Sequence, residues 1–474
     1  MSVEIDTRPI WVLVALKALR PLFFIALALG FYWLITIEPP HGLSAAGLKA
    51  IAVFAVCLVL WVTNALPLAV TSILAMVLVP LFGILPGKET YALFGNEAVF
   101  FILGAFILAG AVMHSGLSTR IALTIMDRFG ASPRRLLLSV YLLAATLSFF
   151  MSEHAVAAML FPIVLEVAKS LGLKPGKSNY GKLLFLSLAW GCIIGGIGTF
   201  LGGARVPLAV GILKEISGAT IGFLEYSVAV FPLVVIMLFV GYFMLTRFFP
   251  MDVVDVQGSH AMLGRRLKGL GKVSGVEYAT GAVLCATIAA WMVIGRHGLS
   301  VVALSSVVVL FVLRLVKWKD VEEYVNWGII LMYGGAIVLG TALDSSGAAN
   351  WMIDALVGRW AGNPIAVFEA LSLLAILLTE AMSNAAVLAV LVPVSVSLSG
   401  TLGISPTILT YSIAVPAGLA FMLPMSTPAN AIVVSSNYVS VKEMARAGGI
   451  MVLISWVVFN LVAYLYWPLI GLGR

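Results

Sequence analysis

The sequence predicts an all-α polytopic membrane protein, with about eleven transmembrane helices plus two re-entrant hairpins in two inverted repeats. Three observations predict it. Of the 474 residues, 62% are hydrophobic and only 10% are charged, where a soluble domain carries about 25%. Apolar runs of spanning length recur from end to end, as at 21–37, 226–246 and 447–470. The second half of the chain also repeats the first at a nearly constant offset.

Each observation has a physical basis. Lipid offers the backbone no hydrogen bonds, so the long apolar runs must close their own bonds as helices. The ten-residue alternation of an outer-membrane barrel is missing from the sequence. For the repeat, a shift of 230 residues lays Trp61 on Trp291, Asn96 on Asn326, Gly104 on Gly334 and Gly110 on Gly340. One further residue of shift lays Gly116 on Gly347, Ser152 on Ser383 and Pro162 on Pro393. Chance does not hold one register over such a distance.

Spans are expected near 21–37, 48–64, 66–85, 99–127, 182–215 and 226–248, then near 276–295, 299–315, 327–345, 407–436 and 447–471. Two more apolar segments, 134–171 and 366–400, carry polar tips, MSEHA and TEAMSNA. Each reads as a hairpin that enters and leaves on one side. Five spans and one hairpin per repeat make the second copy inverted, an architecture of many secondary transporters. The chain therefore divides into an N-terminal segment with the first span (1–47), repeat 1 (48–248), a polar linker (249–275) and repeat 2 (276–474).

The net charge of +7 is one of topology rather than of nucleic-acid binding. With the N-terminus inside, inner segments hold twenty Lys and Arg and outer segments six, with Arg120 and Arg205 inside spans. That bias is the positive-inside rule, and it makes the linker cytoplasmic. The protein is expected in the cell inner membrane as a multi-pass chain. Its first apolar run lacks a small-residue cleavage site and reads as a retained span. Cys57, Cys192 and Cys285 lie in apolar stretches without metal-ligand spacing and read as buried packing residues. Trp61, Trp291, Trp318 and Trp327 suit an interfacial aromatic belt.

Polar chemistry concentrates at four helix breaks. These are the tip Ser152-Glu153-His154, the tip Ser383-Asn384-Ala385 preceded by Thr379 and Glu380, the segment GGIGTFLGGARVP (195–207) and the segment LPMSTPANA (423–431). A broken helix frees N–H groups that favour anions and carbonyls that favour cations. Glycine and small residues also serve plain helix packing, but four breaks at repeat-related positions favour a binding site. Glu153, His154 and Arg205 fall at the expected midplane, where charge is costly unless paired or hydrated. Together with Ser152 and Gly203 they are candidate substrate contacts. A permanent Glu153–Arg205 bridge is their structural alternative. His114 and Asp344 are read as interfacial caps.

The strings TEAMSNAAVLAVLVPV, FMLPMSTPANAIVVSSNYVSVKEMARAG and WVTNALPLAVTSILAMVLVPLFGIL resemble the divalent anion:sodium symporter family, which carries dicarboxylates, citrate or sulfate. The resemblance implies a homodimer with an elevator-type mechanism. Scaffold spans would lie at 48–130 and 276–365, and mobile transport parts at 131–248 and 366–474. It implies a second sodium site from Thr379, Asn384 and the carbonyls of Met382 and Ser426, and anion contacts from Ser383, Asn384, Thr427 and Pro428. It also implies that Glu380 supports the break. In the first half, the family's Ser-Asn-Thr is replaced by Ser152-Glu153-His154, and its Gly-Thr-Pro-Pro-Asn by Gly202-Gly203-Ala204-Arg205-Val206. Ser148, Ser152 and the Gly202 carbonyl remain as partial ligands of a first sodium site.

The function expected is secondary active transport of a small divalent anion, dicarboxylate or sulfate, coupled to one sodium ion, a proton, or both. His154, or Glu153 once released from Arg205, is the expected proton acceptor. An anion exchanger of the same fold is the alternative. A channel, or an intramembrane hydrolase using Glu153 and His154, is a third class. No nucleotide loop, zinc spacing or nucleophile triad is visible in the sequence, so no enzyme, no organic cofactor and no nucleic-acid partner is expected; lipid and the anion are.

Overall fold

The computed structural model describes residues 10–63, 65–253, 255–295, 298–357 and 363–472. Arg8, Arg296, Arg359 and Arg474, which enter the charge tally, lie outside them. The described residues form helices joined by turns, with no strand among them.

The two halves match element by element. In repeat 1 the helices are Ala45–Thr63, Leu68–Leu81, Gly87–Ala92, Glu97–His114, Leu117–Phe129, Pro133–Leu147, Glu153–Ser170, Asn179–Gly196, Arg205–Ser217 and Phe223–Phe248. In repeat 2 they are Gly275–Ile294, Leu299–Val312, Trp318–Val321, Trp327–Ser345, Ala348–Val357, Pro364–Ala381, Asn384–Leu402, Pro406–Ala414, Pro428–Ser435 and Val441–Leu465. Even the short third helix runs into a 3-10 turn in both copies, at Leu93–Gly95 and Glu322–Tyr324.

Local chemistry sets the shared boundaries. Asn96 and Asn326 each cap the next helix, their side chains accepting from Ala98 N and Ile329 N. Gly116 (φ 82°) and Gly347 (φ 75°) then turn the chain through the left-handed region that a side chain resists.

Packing between the halves obeys the same symmetry. Helix Glu97–His114 packs on Leu299–Val312, and its counterpart Trp327–Ser345 packs on Leu68–Leu81. A Cβ on Gly104 would lie 2.7 Å from Ala303 Cβ, and one on Gly335 would lie 2.5 Å from Ser72 Cβ. The offset of 231 carries Gly104 to Gly335 and Ser72 to Ala303, so packing pairs Gly104 with Gly335 rather than with Gly334 as the offset of 230 did. Small residues here let backbones approach, the usual device where lipid supplies no hydrophobic drive for association. At the centre stands helix Asn179–Gly196, buried at every residue from Tyr180 to Gly196.

Among the described residues, eight helices are long and apolar enough to span, with three shorter apolar ones. Several expectations are corrected. The segment 99–127 is two helices, divided at Gly116; the second, Leu117–Phe129, is amphipathic. Arg120 therefore lies outside a span, bonded to Glu277 and to the carbonyls of Leu270, Gly271 and Lys272. Cys57 and Cys192 are buried but Cys285 is exposed. Trp61 and Trp291 are fully buried, Trp291 stacking on Phe223 and donating to the Leu299 carbonyl, so of these four Trp318 and Trp327 are exposed as a belt requires.

The linker holds a helix, Gln257–Gly269, fastened on two sides. His260 Nδ1 lies 2.9 Å from Asp127 of helix Leu117–Phe129, and Arg266 lies 3.2 Å from Glu166 of helix Glu153–Ser170.

Candidate functional site at the helix breaks

Both hairpins are helix pairs broken at their tips. The first joins Pro133–Leu147 to Glu153–Ser170, the second Pro364–Ala381 to Asn384–Leu402. Ser152 and Ser383 are the equivalent N-caps, each hydroxyl accepting from the backbone three residues on, at Ala155 N and Ala386 N (3.3 Å in both). The first broken span runs through Gly196 and resumes at Arg205. The second ends at Ala414, passes a 3-10 turn at Pro416–Gly418 and resumes at Pro428, so its break begins well before Leu423. Thr427 caps the resumed helix by accepting from Asn430 N, and Pro428 fills its first position.

The second tip gathers oxygens. Thr379 Oγ1 lies 2.6 Å from the Asn384 side chain and donates to the Ala417 carbonyl at 2.8 Å. With the Asn384 amide turned so that its nitrogen faces this cluster, it donates to Thr379 Oγ1 (2.6 Å), Ala417 O (3.2 Å) and Ser426 O (3.2 Å). One hydroxyl and two carbonyls thus surround one end of an amide. Hydroxyl, amide and carbonyl oxygens are the ligands a hard cation prefers. Met382 is the buried, extended residue between the two hairpin helices.

Glu380 braces this break. Its buried carboxylate accepts from the N–H groups of Phe421 (2.8 Å), Met422 (3.0 Å) and Leu423 (2.9 Å). Asn430 completes the brace, its amide donating to the carbonyls of Ala420 and Leu423 and to Ser426 Oγ.

The first tip is built differently. Glu153 N donates to the Gly202 carbonyl at 2.9 Å, joining tip to break. Arg205 Nη1 then donates to Glu153 Oε2 at 3.3 Å, with Arg205 2% and Glu153 6% exposed. Arg205 Nε and Nη2 are buried and find no acceptor among the described residues. Glycines make the room: a Cβ on Gly196 would meet Glu153 Oε2 at 2.6 Å, and one on Gly203 or Gly418 would collide with the guanidinium itself. Ser148 Oγ is buried nearby, beside the Cys192 thiol.

Other candidates are placed less centrally. His154 is exposed, although it adjoins Glu153. Ser152, Ser383 and Asn384 are half-buried, Thr427 and Ser426 buried, and Pro428 exposed. His114 Nε2 lies 3.5 Å from Asp320, outside the site. Sequence reasoning missed the Ala417 carbonyl and Gly418, and placed Gly196 in a break without a role. The Pro416-Ala417-Gly418 interruption of an apolar run was the available signal for the first two. A carbonyl and a missing Cβ leave no other mark.

The sequence profile of the sodium:sulfate symporter transmembrane region matches residues 17–472. The chain belongs to the sodium:sulfate symporter family. Relatives of this symporter include the sodium-dependent dicarboxylate transporter SdcS of Staphylococcus saprophyticus, 30% identical over 95% of this chain and 90% of that protein. The SdcS of Staphylococcus aureus strain MSSA476 is 29% identical over 95% and 91%. Among solved structures, the Neisseria gonorrhoeae MtrF efflux pump aligns over 91% of this chain and 96% of its own, with TM-score 0.56 at 12% identity. The Alcanivorax borkumensis YdaH transporter aligns over 80% and 89%, with TM-score 0.51 at 15% identity. These two share the fold. The symporter is thus a multi-pass inner-membrane protein, a transporter rather than an enzyme.

Proposed function

We propose that the protein is a sodium-coupled carrier of a small divalent anion, of the dicarboxylate class named for the SdcS relatives. The observation that carries this reading is the oxygen cluster of Thr379, Ala417 and Ser426 around the Asn384 amide. Without a cation the amide nitrogen satisfies those oxygens; with one, the amide turns and offers its own oxygen. Cation binding then orders the second tip, whose Ser383 and Asn384, with Thr427 and Pro428, present helix N-termini to the anion. Sodium here is cargo.

Packing supports movement of the tips as one body. Helix Arg205–Ser217 packs on Asn384–Leu402, and its counterpart Pro428–Ser435 packs on Glu153–Ser170. Each break is thus tied to the other repeat's hairpin. We extend the proposal to an elevator-type displacement of this body against the remaining helices, in a homodimer.

Uptake of labelled succinate and of sulfate into proteoliposomes, with an inward sodium or choline gradient, tests the reading. Sodium should stimulate uptake of one of the two, and Asn384→Ala should remove the stimulation. Equal uptake in both gradients refutes sodium coupling and leaves proton coupling or exchange, which an imposed pH gradient separates.

A further inference from the structure

The offset of 231 residues that lays Ser152 on Ser383 also lays Ser148 on Thr379 and Glu153 on Asn384. The two side chains that build the oxygen cluster of the second half therefore have direct counterparts in the first. The broken spans correspond as well: Arg205 stands in the first turn of the resumed helix, where the other copy has Ala429 beside Pro428. Where the second half directs Asn384 at carbonyls of its own broken span, the first half directs Glu153 at a guanidinium of its own broken span.

The two places are neighbours. Thr379 bonds the Ala417 carbonyl, and the next residue, Gly418, lies against Arg205 Nε and Cζ. One peptide unit separates the oxygen cluster from the guanidinium. Arg205 is almost wholly buried and makes one charge-assisted bond, with Nε and Nη2 left without acceptors among the described residues. A pair kept purely as a brace gains from a bidentate grip, which uses two guanidinium nitrogens. Glu380, accepting three N–H groups, shows how a brace is built in this fold. Glu153–Arg205 does not resemble it.

We infer that Arg205 is a tethered cation standing where repeat symmetry would put a second dissociable one, so that the carrier binds and moves a single sodium ion, at the Thr379–Asn384 tip. The inference rests on the sodium-coupled reading above. A guanidinium always carries its charge and cannot leave with the anion. It supplies the electrostatic half of a cation site while contributing nothing to the ion gradient's work. Like charges this close repel, so a second mobile sodium beside it is excluded.

The test counts ions. Dual-label flux of sodium and the transported anion in proteoliposomes of the parent should give a ratio near one sodium per anion, with a Hill coefficient for sodium near one. A ratio of two or more overturns the inference and leaves sodium coupling standing. No sodium-stimulated uptake at all overturns the sodium-coupled reading, and the inference with it. The second arm writes the residues of repeat 2 into repeat 1, as Glu153→Asn with Arg205→Ala, since Ser426-Thr427-Pro428-Ala429 lies over Gly202-Gly203-Ala204-Arg205. This variant removes both charges together and so leaves no unpaired ion buried. Sodium-dependent thermal stabilisation of the purified variant reads the site even where transport is lost. The dependence should steepen, its Hill coefficient moving from near one towards two. A sodium dependence unchanged from the parent's assigns the pair to bracing and overturns the inference.

Discussion

Arg205 and Gly418 come from different repeats, yet the guanidinium of one rests on the backbone of the other, at a point where any Cβ would collide with Nε. The contact closes the interface between the two broken spans and aligns the two tips. Gly418→Ala should therefore displace Arg205 and cost about 1–3 kcal/mol, as overpacking of a filled site does. Thermal unfolding in detergent, together with the sodium dependence of uptake, checks it. Gly400→Ala is the control, because a Cβ there meets nothing within 4 Å.

Glu380 should be intolerant of neutralisation. Its three N–H partners all point donors at the carboxylate, and an amide would turn its own N–H groups toward some of them. Glu380→Gln should lose about 2–4 kcal/mol, on the scale of charge-assisted bonds and stranded donors. The loss should persist with Asn384→Ala as the background, since bracing does not require sodium. Thermal midpoints of the two pairs of proteins decide it.

Thr379→Val keeps volume and removes one oxygen. Sodium affinity should fall about tenfold or more, with the anion's affinity at saturating sodium little changed. Uptake measured against sodium concentration separates the two. Equal effects on both ligands would place Thr379 at the anion instead.

Lys214 of the first broken span is paired with Glu97 at 2.8 Å, and Asn96 donates to Glu215 at 3.1 Å. Both pairs join the proposed moving body to helix Glu97–His114. The exposed ion pair is worth at most about 1 kcal/mol, so it does not impede motion. A Glu97→Cys, Lys214→Cys disulfide should, however, stop uptake, and reduction should restore it. Unimpaired uptake by the cross-linked carrier refutes displacement between these helices.

The linker should be cytoplasmic. A cysteine at Lys268 in a chain carrying Cys285→Ser should react with an impermeant maleimide only after the cells are opened. The background change removes the one cysteine not buried within the protein, although it lies in the apolar helix Gly275–Ile294. Labelling in intact cells would invert the topology.

The fold was legible because a duplicated membrane chain records its architecture twice. Asn96 and Asn326 cap equivalent helices, and Gly116 and Gly347 turn them, so the offset showed true boundaries. The tips were visible as polar residues inside apolar runs. What stayed hidden depends on which face of a helix meets lipid. Hydropathy is the same for a buried Trp61 and an interfacial one, or for a buried Cys192 and an exposed Cys285. The linker helix and the break at Pro416–Gly418 were missed for a related reason: each is short and gains its order from partners distant in sequence, such as Asp127, Glu166 and Thr379. The pairing of Glu153 with Arg205 could be proposed from sequence, but the bare edge of the guanidinium could not.

The interlock of Gly104 with Ala303, and of Gly335 with Ser72, bears on how the chain is made. Repeat 1 leaves the ribosome with the Gly104 notch unfilled, and Leu299–Val312, which fills it, follows about ten seconds or more later at ordinary rates of synthesis. Neither half can finish its own packing, so the nascent first half must wait in the bilayer with a small-residue groove open to lipid. Two separately encoded halves, split within the linker and produced together, should assemble into a working carrier, whereas either half alone should be degraded.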